Sequence, residues 1–220
     1  MQERLQSFVH VLRAFERAEV EFDPIVGKHA KRVGELAAEI AKVAGIPKDE
    51  VELVKWAGGL HDIGKLGVPT PILHKPDLDE DEWAKMRSHA TIGEAILLDI
   101  SPELAPIAHM IRSHHERWDG SGYPDGRAGE EIPKCSQIVA IADAFDAITH
   151  SVLYVREARL VGDARKAIGF QAGSGYDPQL VQAFETVLET QQRRRNIFGL
   201  GRLRFQSRPS VDDIEVSDVS

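Results

Sequence analysis

The chain has 220 residues, 42% of them hydrophobic and 28% charged, a composition that fits one sizeable core and excludes a largely disordered or fibrous protein. The formal net charge of −8 argues against general nucleic-acid binding and against binding to an anionic membrane, although metal ions could still hold a small anionic ligand. Cys135 is the only cysteine, and there is neither a signal-like apolar start nor a stretch of membrane-spanning length, so we expect a cytoplasmic protein without disulfides and without a membrane partner.

Apolar residues recur at helical spacing along nearly the whole chain, and no stretch shows convincing strand alternation. In the first half, helices are predicted over about residues 5–18, 24–45, 49–63, 79–98 and 102–114. Residues 64–77 are rich in glycine and proline and are predicted to form an ordered loop. The pattern indicates an all-α, single-domain protein.

The stretch 116–133 is the second predicted loop, and it is too long for an ordinary connection between helices. Long ordered loops in compact domains are usually functional. Further helices are predicted over about 135–149, 155–170 and from 178 onward. The predicted organisation is an N-terminal helix (1–22), a main domain (23–190), a basic helix end (191–204) and a disordered tail (205–220).

Five of the nine histidines occupy places where a helical face is otherwise apolar, or the end of a predicted helix. A single such histidine is most often a core residue bonded to a neighbour. Five would each need buried hydrogen-bond partners, whereas one or two metal ions would satisfy all of them together. The five are His29, His61, His89, His114 and His115. The remaining four are interpreted as ordinary residues.

Two adjacent pairs, His61-Asp62 and His114-His115, strengthen the metal hypothesis. Neighbouring side chains on a helix point about 100° apart, so both members of a pair reach one centre only near a helix end. Both pairs lie where a predicted helix gives way to a glycine-rich loop. Asp143 stands on an otherwise apolar helix, and a buried carboxylate there would be costly without a cation.

The resulting ligand set is imidazole and carboxylate, without thiolate. This excludes a structural zinc site of the cysteine type and favours iron, manganese or another divalent ion that prefers nitrogen and oxygen ligands. Seven candidate ligands exceed what one metal with an open position needs. Two metal ions, about 3.5–4 Å apart, are therefore predicted.

Two motifs resemble those of a known family. Gly59-Leu60-His61-Asp62-Ile63-Gly64-Lys65 resembles the signature of the HD phosphohydrolase superfamily, and residues 114–124, His-His-Glu-Arg-Trp-Asp-Gly-Ser-Gly-Tyr-Pro, resemble the defining motif of its HD-GYP branch. The similarity runs from about residue 23 to 184 and includes His29 and the segments around His89, Asp143 and Tyr176. It implies a helical HD-type phosphohydrolase bundle, a metal centre and phosphodiesterase activity on a cyclic dinucleotide, above all cyclic di-GMP.

The resemblance also implies roles for individual residues. One metal would be held by His29, His61, Asp62 and Asp143, and Asp62 would bridge to a second metal completed by His89, His114 and His115. Lys65 would neutralise a phosphate oxygen, and Gly122, Tyr123, Pro124 and Tyr154 would contact the substrate. A bridging hydroxide would attack phosphorus and expel the ribose 3′ oxygen, giving a linear dinucleotide and, with further cleavage, mononucleotides. A signalling partner protein and a homodimer are left open.

The sequence departs from the family at two places. Ile25 stands where members with a third metal carry glutamate, which supports two metals. Ser151-Val152-Leu153-Tyr154-Val155 replaces a segment that carries two basic residues for phosphate and guanine, so weaker or altered substrate binding is expected. Two alternatives therefore stay open: a phosphohydrolase of the same scaffold acting on another nucleotide, and a catalytically weak signalling module. For Asp146, two interpretations are also open, a hydrogen-bond partner of a metal ligand or a surface residue.

Overall fold

The computed structural model describes residues 2–150 and 161–197, which are mostly helical. An isolated bridge between Ala172 and Tyr176 is the only extended pairing within these residues, so the predicted all-α class is confirmed. The described helices are α1 (Gln2–Phe22), α2 (Pro24–Val43), α3 (Lys48–Leu60), α4 (Thr70–Leu73), α5 (Glu80–Arg87), α6 (His89–Ile100), α7 (Ala105–Arg112), α8 (Lys134–His150), α9 (Val161–Phe170) and α10 (Pro178–Ile197), with 3-10 turns at Ile63–Gly67, Pro102–Leu104 and Gly129–Glu131.

The prediction of one helix over residues 79–98 was wrong, because the helix breaks at Ser88. This residue has ψ −12°, its N–H is shared between the carbonyls of Ala84 and Lys85 at 3.2 Å each, and its Oγ donates to Lys85 O at 2.6 Å. A serine hydroxyl that bonds the backbone competes with the helical ladder. The break makes His89 the first residue of α6. The apolar spacing continues across it, so the sequence pattern did not show the break.

The helix predicted over 102–114 is also shorter than expected. Its first residues form a 3-10 turn, and α7 ends at Arg112, followed by Ser113 with φ −100° and ψ 10°. His114 and His115 therefore lie in a turn beyond the helix end. This is the placement that an adjacent pair of ligands requires.

Helix α2 begins and ends at residues that the sequence identifies. The carboxylate of Asp23 accepts hydrogen bonds from the N–H groups of Ile25 (2.8 Å) and Val26 (3.4 Å), and Pro24 occupies the first turn. At the other end, Gly45 adopts φ +74°, a conformation that glycine reaches without steric cost. His29 lies in the second turn of this helix, close to its capped N-terminus.

The core lies between α2, α3, α7 and α8. Helix α2 packs against α3 and α8, α3 also packs against α7 and α8, and α6 packs against α7. Fully buried apolar side chains line these contacts: Val33, Ala37 and Ile40 from α2, Val54, Ala57 and Leu60 from α3, Ile107 and Ile111 from α7, and Ile138, Val139 and Ile141 from α8.

Helices α2 and α3 cross with their backbones almost in contact. A Cβ added to Gly34 would lie 2.6 Å from Lys55 O, and one added to Gly58 would lie 2.8 Å from Gly34 Cα. Only glycine leaves room for such an approach. Because the helices are this close, the rings of His29 and His61 lie with their centroids 5.2 Å apart.

Backbone contacts divide the chain into two units, residues 1–187 and 188–220. Of the second unit the structure describes residues 188–197, which continue α10. Residues 151–160, with Tyr154, the start of the helix predicted over 155–170 and the tail predicted over 205–220 lie outside the described residues, and the domain boundaries at 190 and 204 stay predictions. Among the described helices, none has the length and apolar character needed to cross a membrane.

Candidate metal centre

The seven predicted metal ligands lie together. Six of them form two groups, and within each group the ligand atoms are within 4.8 Å of one another. We call His29, His61 and Asp143 the acidic group, and His89, His114 and His115 the imidazole group. The rings of His61 and His114, one from each group, have centroids 5.3 Å apart, so the two groups are neighbours.

The seventh predicted ligand, Asp62, lies between the groups. Its Oδ2 is 3.4 Å from His61 Nε2, and its Oδ1 is 3.6 Å from His89 Nε2. Each carboxylate oxygen therefore faces a different group. One carboxylate placed in this way can serve two cations at once.

Helix ends account for this convergence. His61 and Asp62 follow α3, His89 begins α6, and His114 and His115 follow α7, while His29 and Asp143 lie inside helices, α2 and α8. The turn after Asp62 lies directly on α6, since a Cβ on Gly64 would collide with the carbonyl oxygen of His89. Because the backbone at Gly64 lies against His89, the side chain of Asp62 also lies close to His89.

The hydrogen bonds of the histidine rings fix which nitrogen faces the centre. The Nδ1 atoms of His61, His89 and His114 donate to the carbonyl oxygens of Gly58 (2.8 Å), Met86 (2.7 Å) and Ile111 (2.5 Å). A carbonyl only accepts, so each Nδ1 carries a proton, and in the neutral ring Nε2 has a free lone pair. His89 Nε2 is nevertheless 3.4 Å from His114 Nε2 and 3.2 Å from His115 Nε2. Converging lone pairs of this kind fit a bound cation.

The two groups differ in charge. In the acidic group burial alone would lower the pKa of His29, but the hydrogen bonds that its ring donates to the carboxylates of Asp143 and Asp146 outweigh burial and raise the pKa to about 9. In the imidazole group burial dominates, aided by the neighbouring imidazoles: it lowers the pKa of His115 to about 4 and holds the pKa of His114 well below its usual range. The histidines of the imidazole group are therefore neutral at pH 7. The acidic group contains the carboxylate of Asp143, which favours a positively charged partner.

Asp146 is the residue that the sequence left open, and the structure shows that it is a hydrogen-bond partner of His29 and not a surface residue. It is buried, its Oδ2 accepts from His29 Nδ1 at 2.8 Å, and Arg32 donates to both of its oxygens at 2.6 and 2.7 Å. Asp146 thus sets the orientation of His29 and directs Nε2 of that ring toward Asp143, 3.1 Å away. Arg32 compensates the buried charge.

Lys65 lies where the sequence placed it, beside the centre. Its Nζ donates to Asp62 Oδ2 at 2.6 Å, and its side chain is 39% exposed. Together with His61 it outweighs the effect of burial and lowers the pKa of Asp62 well below its usual range. The ammonium group is close to the ligands and reaches solvent.

A cavity of about 390 Å³ opens onto His114, His115 and Asp143. Of the predicted substrate contacts, Gly122 and Tyr123 line it, Pro124 does not, and Tyr154 lies outside the described residues. The ring of Tyr123 stacks on His115 with centroids 4.7 Å apart. A Cβ on Gly122 would collide with the backbone at Arg117, so this glycine serves the packing of the loop.

The sequence reasoning did not single out three residues that line the cavity: Arg87, Arg117 and Tyr176. Each lies in or beside a segment that resembles the HD-GYP family, and this resemblance is the sequence feature that could have identified it. The long loop is held in place by buried Glu116, whose two oxygens accept from the N–H groups of Asp125 (2.7 Å) and Arg127 (3.1 Å). These hydrogen bonds give the loop a defined conformation, as expected for a loop that lines a binding site.

The model of the family described as HD domain matches residues 19–180, which is most of the chain and includes all seven predicted ligands. The chain belongs to the HD-domain family. Membership confirms the resemblance, and the histidine and aspartate groups of this HD-domain protein could hold metal.

Curated relatives point to one chemical class. The chain is 42% identical over 159 residues to a cyclic di-GMP phosphodiesterase of Thermotoga maritima, covering 71% of this chain and 43% of that protein. It is 39% identical over 158 residues to 3′3′-cGAMP-specific phosphodiesterase 2 of Vibrio cholerae, covering 71% of this chain and 30% of that protein. The chain thus spans less than half the length of these relatives.

Solved structures agree in fold. A cyclic GMP-AMP-specific phosphodiesterase of Vibrio cholerae (V-cGAP3) superposes with a TM-score of 0.61 at 20% identity, covering 77% of this chain and 45% of that one. Bd1817 of Bdellovibrio bacteriovorus, an HD-GYP-type protein, gives a TM-score of 0.59 at 21% identity, covering 75% and 52%. At these identities the likeness concerns the fold alone.

Proposed function

We propose that this HD-domain chain is a metal-dependent phosphodiesterase that hydrolyses a cyclic dinucleotide, with cyclic di-GMP as the first candidate. The observation that carries the proposal is the pairing of two ligand groups across Asp62, since a pair of divalent ions suits phosphoryl displacement. The names of the curated relatives support the substrate class.

In this proposal the acidic group and Asp62 would hold one ion, and the imidazole group and Asp62 would hold the other. The donor set is nitrogen and oxygen, and the sole cysteine, Cys135, is buried outside both groups. Iron and manganese are therefore the ions we propose. Nε2 of His89 lies close to Asp62 as well as to His114 of its own group.

When bound, such ions would supply a water of lowered pKa and would neutralise negative charge on the oxygens of the phosphoryl group. The chain's own residues do the rest. Asp146 and the backbone carbonyls keep the ligand nitrogens aimed at the centre. Lys65 brings an ammonium group beside Asp62, from where it can reach a non-bridging phosphate oxygen. Cleavage of the P–O bond to the ribose 3′ oxygen gives a linear dinucleotide.

The test is a nucleotide panel with the protein purified anaerobically and loaded with Mn²⁺ or Fe²⁺. We expect about two metal ions per chain and turnover of at least one of cyclic di-GMP, 3′3′-cGAMP and cyclic di-AMP. A protein that retains metal but cleaves none of these would contradict the proposal. Loss of turnover on chelation and its return with metal would link the two properties.

A second candidate, a phosphohydrolase acting on another nucleotide, is favoured by Val152 and Val155, which stand where basic residues were expected. The same panel separates the candidates. Hydrolysis of a mononucleotide without hydrolysis of any cyclic dinucleotide would select the second one. Full metal occupancy with turnover would remove the alternative of a catalytically weak signalling module.

A further inference from the structure

Arg87 lines the cavity but belongs to neither the acidic group nor the imidazole group. It is the last residue of α5 and lines the cavity next to the imidazole group. Its guanidinium carbon is 5.6 Å from the centre of the Tyr123 ring and 5.9 Å from the centre of the Trp83 ring. Because Tyr123 stacks on His115, the guanidinium lies only two ring contacts away from a metal ligand.

The second arginine of the cavity, Arg117, is already engaged. Its Nε donates to Ser121 Oγ at 2.9 Å, one terminal nitrogen donates to Gln171 Oε1 at 3.0 Å, and the other lies 3.5 Å from Asp119. These bonds hold the long loop against the segment that precedes α10. Arg117 therefore has little donor capacity left for a ligand.

Arg87 differs in this respect. Within residues 2–150 and 161–197 its side chain forms no ion pair and donates no hydrogen bond, and its guanidinium lies over two aromatic rings. Contact with ring faces orients a guanidinium while leaving its N–H donors available. Arg87 is thus a cation held in position beside the cavity, with its hydrogen-bonding capacity unused by the described residues.

The proposed substrate supplies a partner for this cation. A cyclic dinucleotide carries two phosphodiesters in one small ring, so when one phosphate lies at the metal centre the other remains in the same cavity with its negative charge. We infer that Arg87 binds the second, non-reacting phosphate of a cyclic dinucleotide. This assignment rests on the proposed function and makes Arg87 a determinant of specificity for cyclic dinucleotides over substrates with a single phosphate.

The experiment compares two substrates in the metal-loaded protein: the cyclic dinucleotide that it turns over best and bis(4-nitrophenyl) phosphate, which has one phosphodiester. For Arg87→Met we expect KM for the cyclic dinucleotide to rise about 10- to 100-fold, as for loss of a charge-assisted hydrogen bond. The loss in kcat/KM on the single-phosphate substrate should be at least about tenfold smaller. For Arg87→Lys we expect a KM between those of the wild type and Arg87→Met, because the positive charge remains but the planar guanidinium with its paired N–H donors is lost.

Lys85→Met is the matched control, since Lys85 is an exposed cation on the same helix. It should match the wild type on both substrates. Equal losses on the two substrates in Arg87→Met, or a reduced metal content, would overturn the assignment, because Arg87 would then act by holding Tyr123 and His115 in place. If the wild-type protein cleaves neither substrate while holding metal, the proposed function itself fails. Failure of the proposed function is therefore seen in the wild-type protein, whereas failure of the Arg87 assignment is seen only when the variants are compared with the wild type.

Discussion

The acidic group and the imidazole group are built from similar side chains but differ in how the fold supports them. In the acidic group His29 is oriented by a carboxylate, Asp146, and the group includes the carboxylate of Asp143. In the imidazole group, His89 and His114 are oriented by neutral backbone carbonyls, and burial keeps the rings uncharged. The first group thus supplies negative charge to a cation, and the second supplies lone pairs.

This difference between the two groups makes Asp62 the most important single residue of the proposed site. The imidazole group has no carboxylate of its own, and among the described residues the carboxylate oxygen that lies against one of its ring nitrogens is Asp62 Oδ1, 3.6 Å from His89 Nε2. The acidic group has Asp143 in addition. Removal of Asp62 should therefore affect both metals, whereas removal of any other ligand should affect mainly one.

The largest effect is expected for Asp62→Asn. An amide cannot supply two anionic oxygens, so we expect fewer than two metals per chain and a loss of turnover on the order of 10³-fold or more. Elemental analysis and steady-state kinetics measure both quantities. Asp49→Asn, a change at an exposed acidic residue in the first turn of α3, is the control and should behave as wild type. Retained turnover in Asp62→Asn would contradict the bridging role.

A pair of variants tests whether the groups act separately. His61→Ala should lose the ion of the acidic group, and His114→Ala should lose the ion of the imidazole group, so each should retain about one metal per chain with little activity. Both histidines are buried with Nδ1 on a backbone carbonyl, which makes the pair a fair comparison. Loss of both metals from either variant would show that the groups form a single unit.

A smaller effect is expected from the residue that orients His29. Asp146→Ala should weaken binding of one metal about 10- to 100-fold, as substitutions that remove a partner of a metal-bound histidine usually do. The second metal should be unaffected. Metal titration followed by elemental analysis would check this, and equal weakening of both metals would break the distinction between the groups. Arg32→Ala should act in the same direction but less strongly, because it leaves the Asp146 carboxylate in place.

The smallest effect is expected for Lys65→Ala. Its ammonium pairs with the Asp62 oxygen that faces the acidic group, but it is not a ligand. We expect both metals to be retained and kcat to fall about tenfold, as for loss of one charged contact to the phosphate. Unchanged kinetics would remove the proposed role. A fall in metal content would instead assign Lys65 to the stability of the site.

Much of this site could be read from the sequence because its ligands stand out chemically. A histidine or aspartate on an apolar helical face is unusual, and adjacent pairs such as His61-Asp62 mark helix ends. The break at Ser88 could not be read in this way, since the apolar spacing runs through it. The role of Asp146 depended on whether its side chain meets His29, which lies 117 positions away. Arg87 and Arg117 have the same chemistry, and only their contacts separate them.

In the proposed site Asp62 lies between two divalent cations, one in each ligand group. Anomalous X-ray diffraction from crystals grown anaerobically with Mn²⁺ tests it most directly. We predict two peaks about 3.5–4 Å apart, one beside His29, His61 and Asp143 and the other beside His89, His114 and His115, with one Asp62 oxygen toward each. A single peak, or two peaks that Asp62 does not join, would contradict the account.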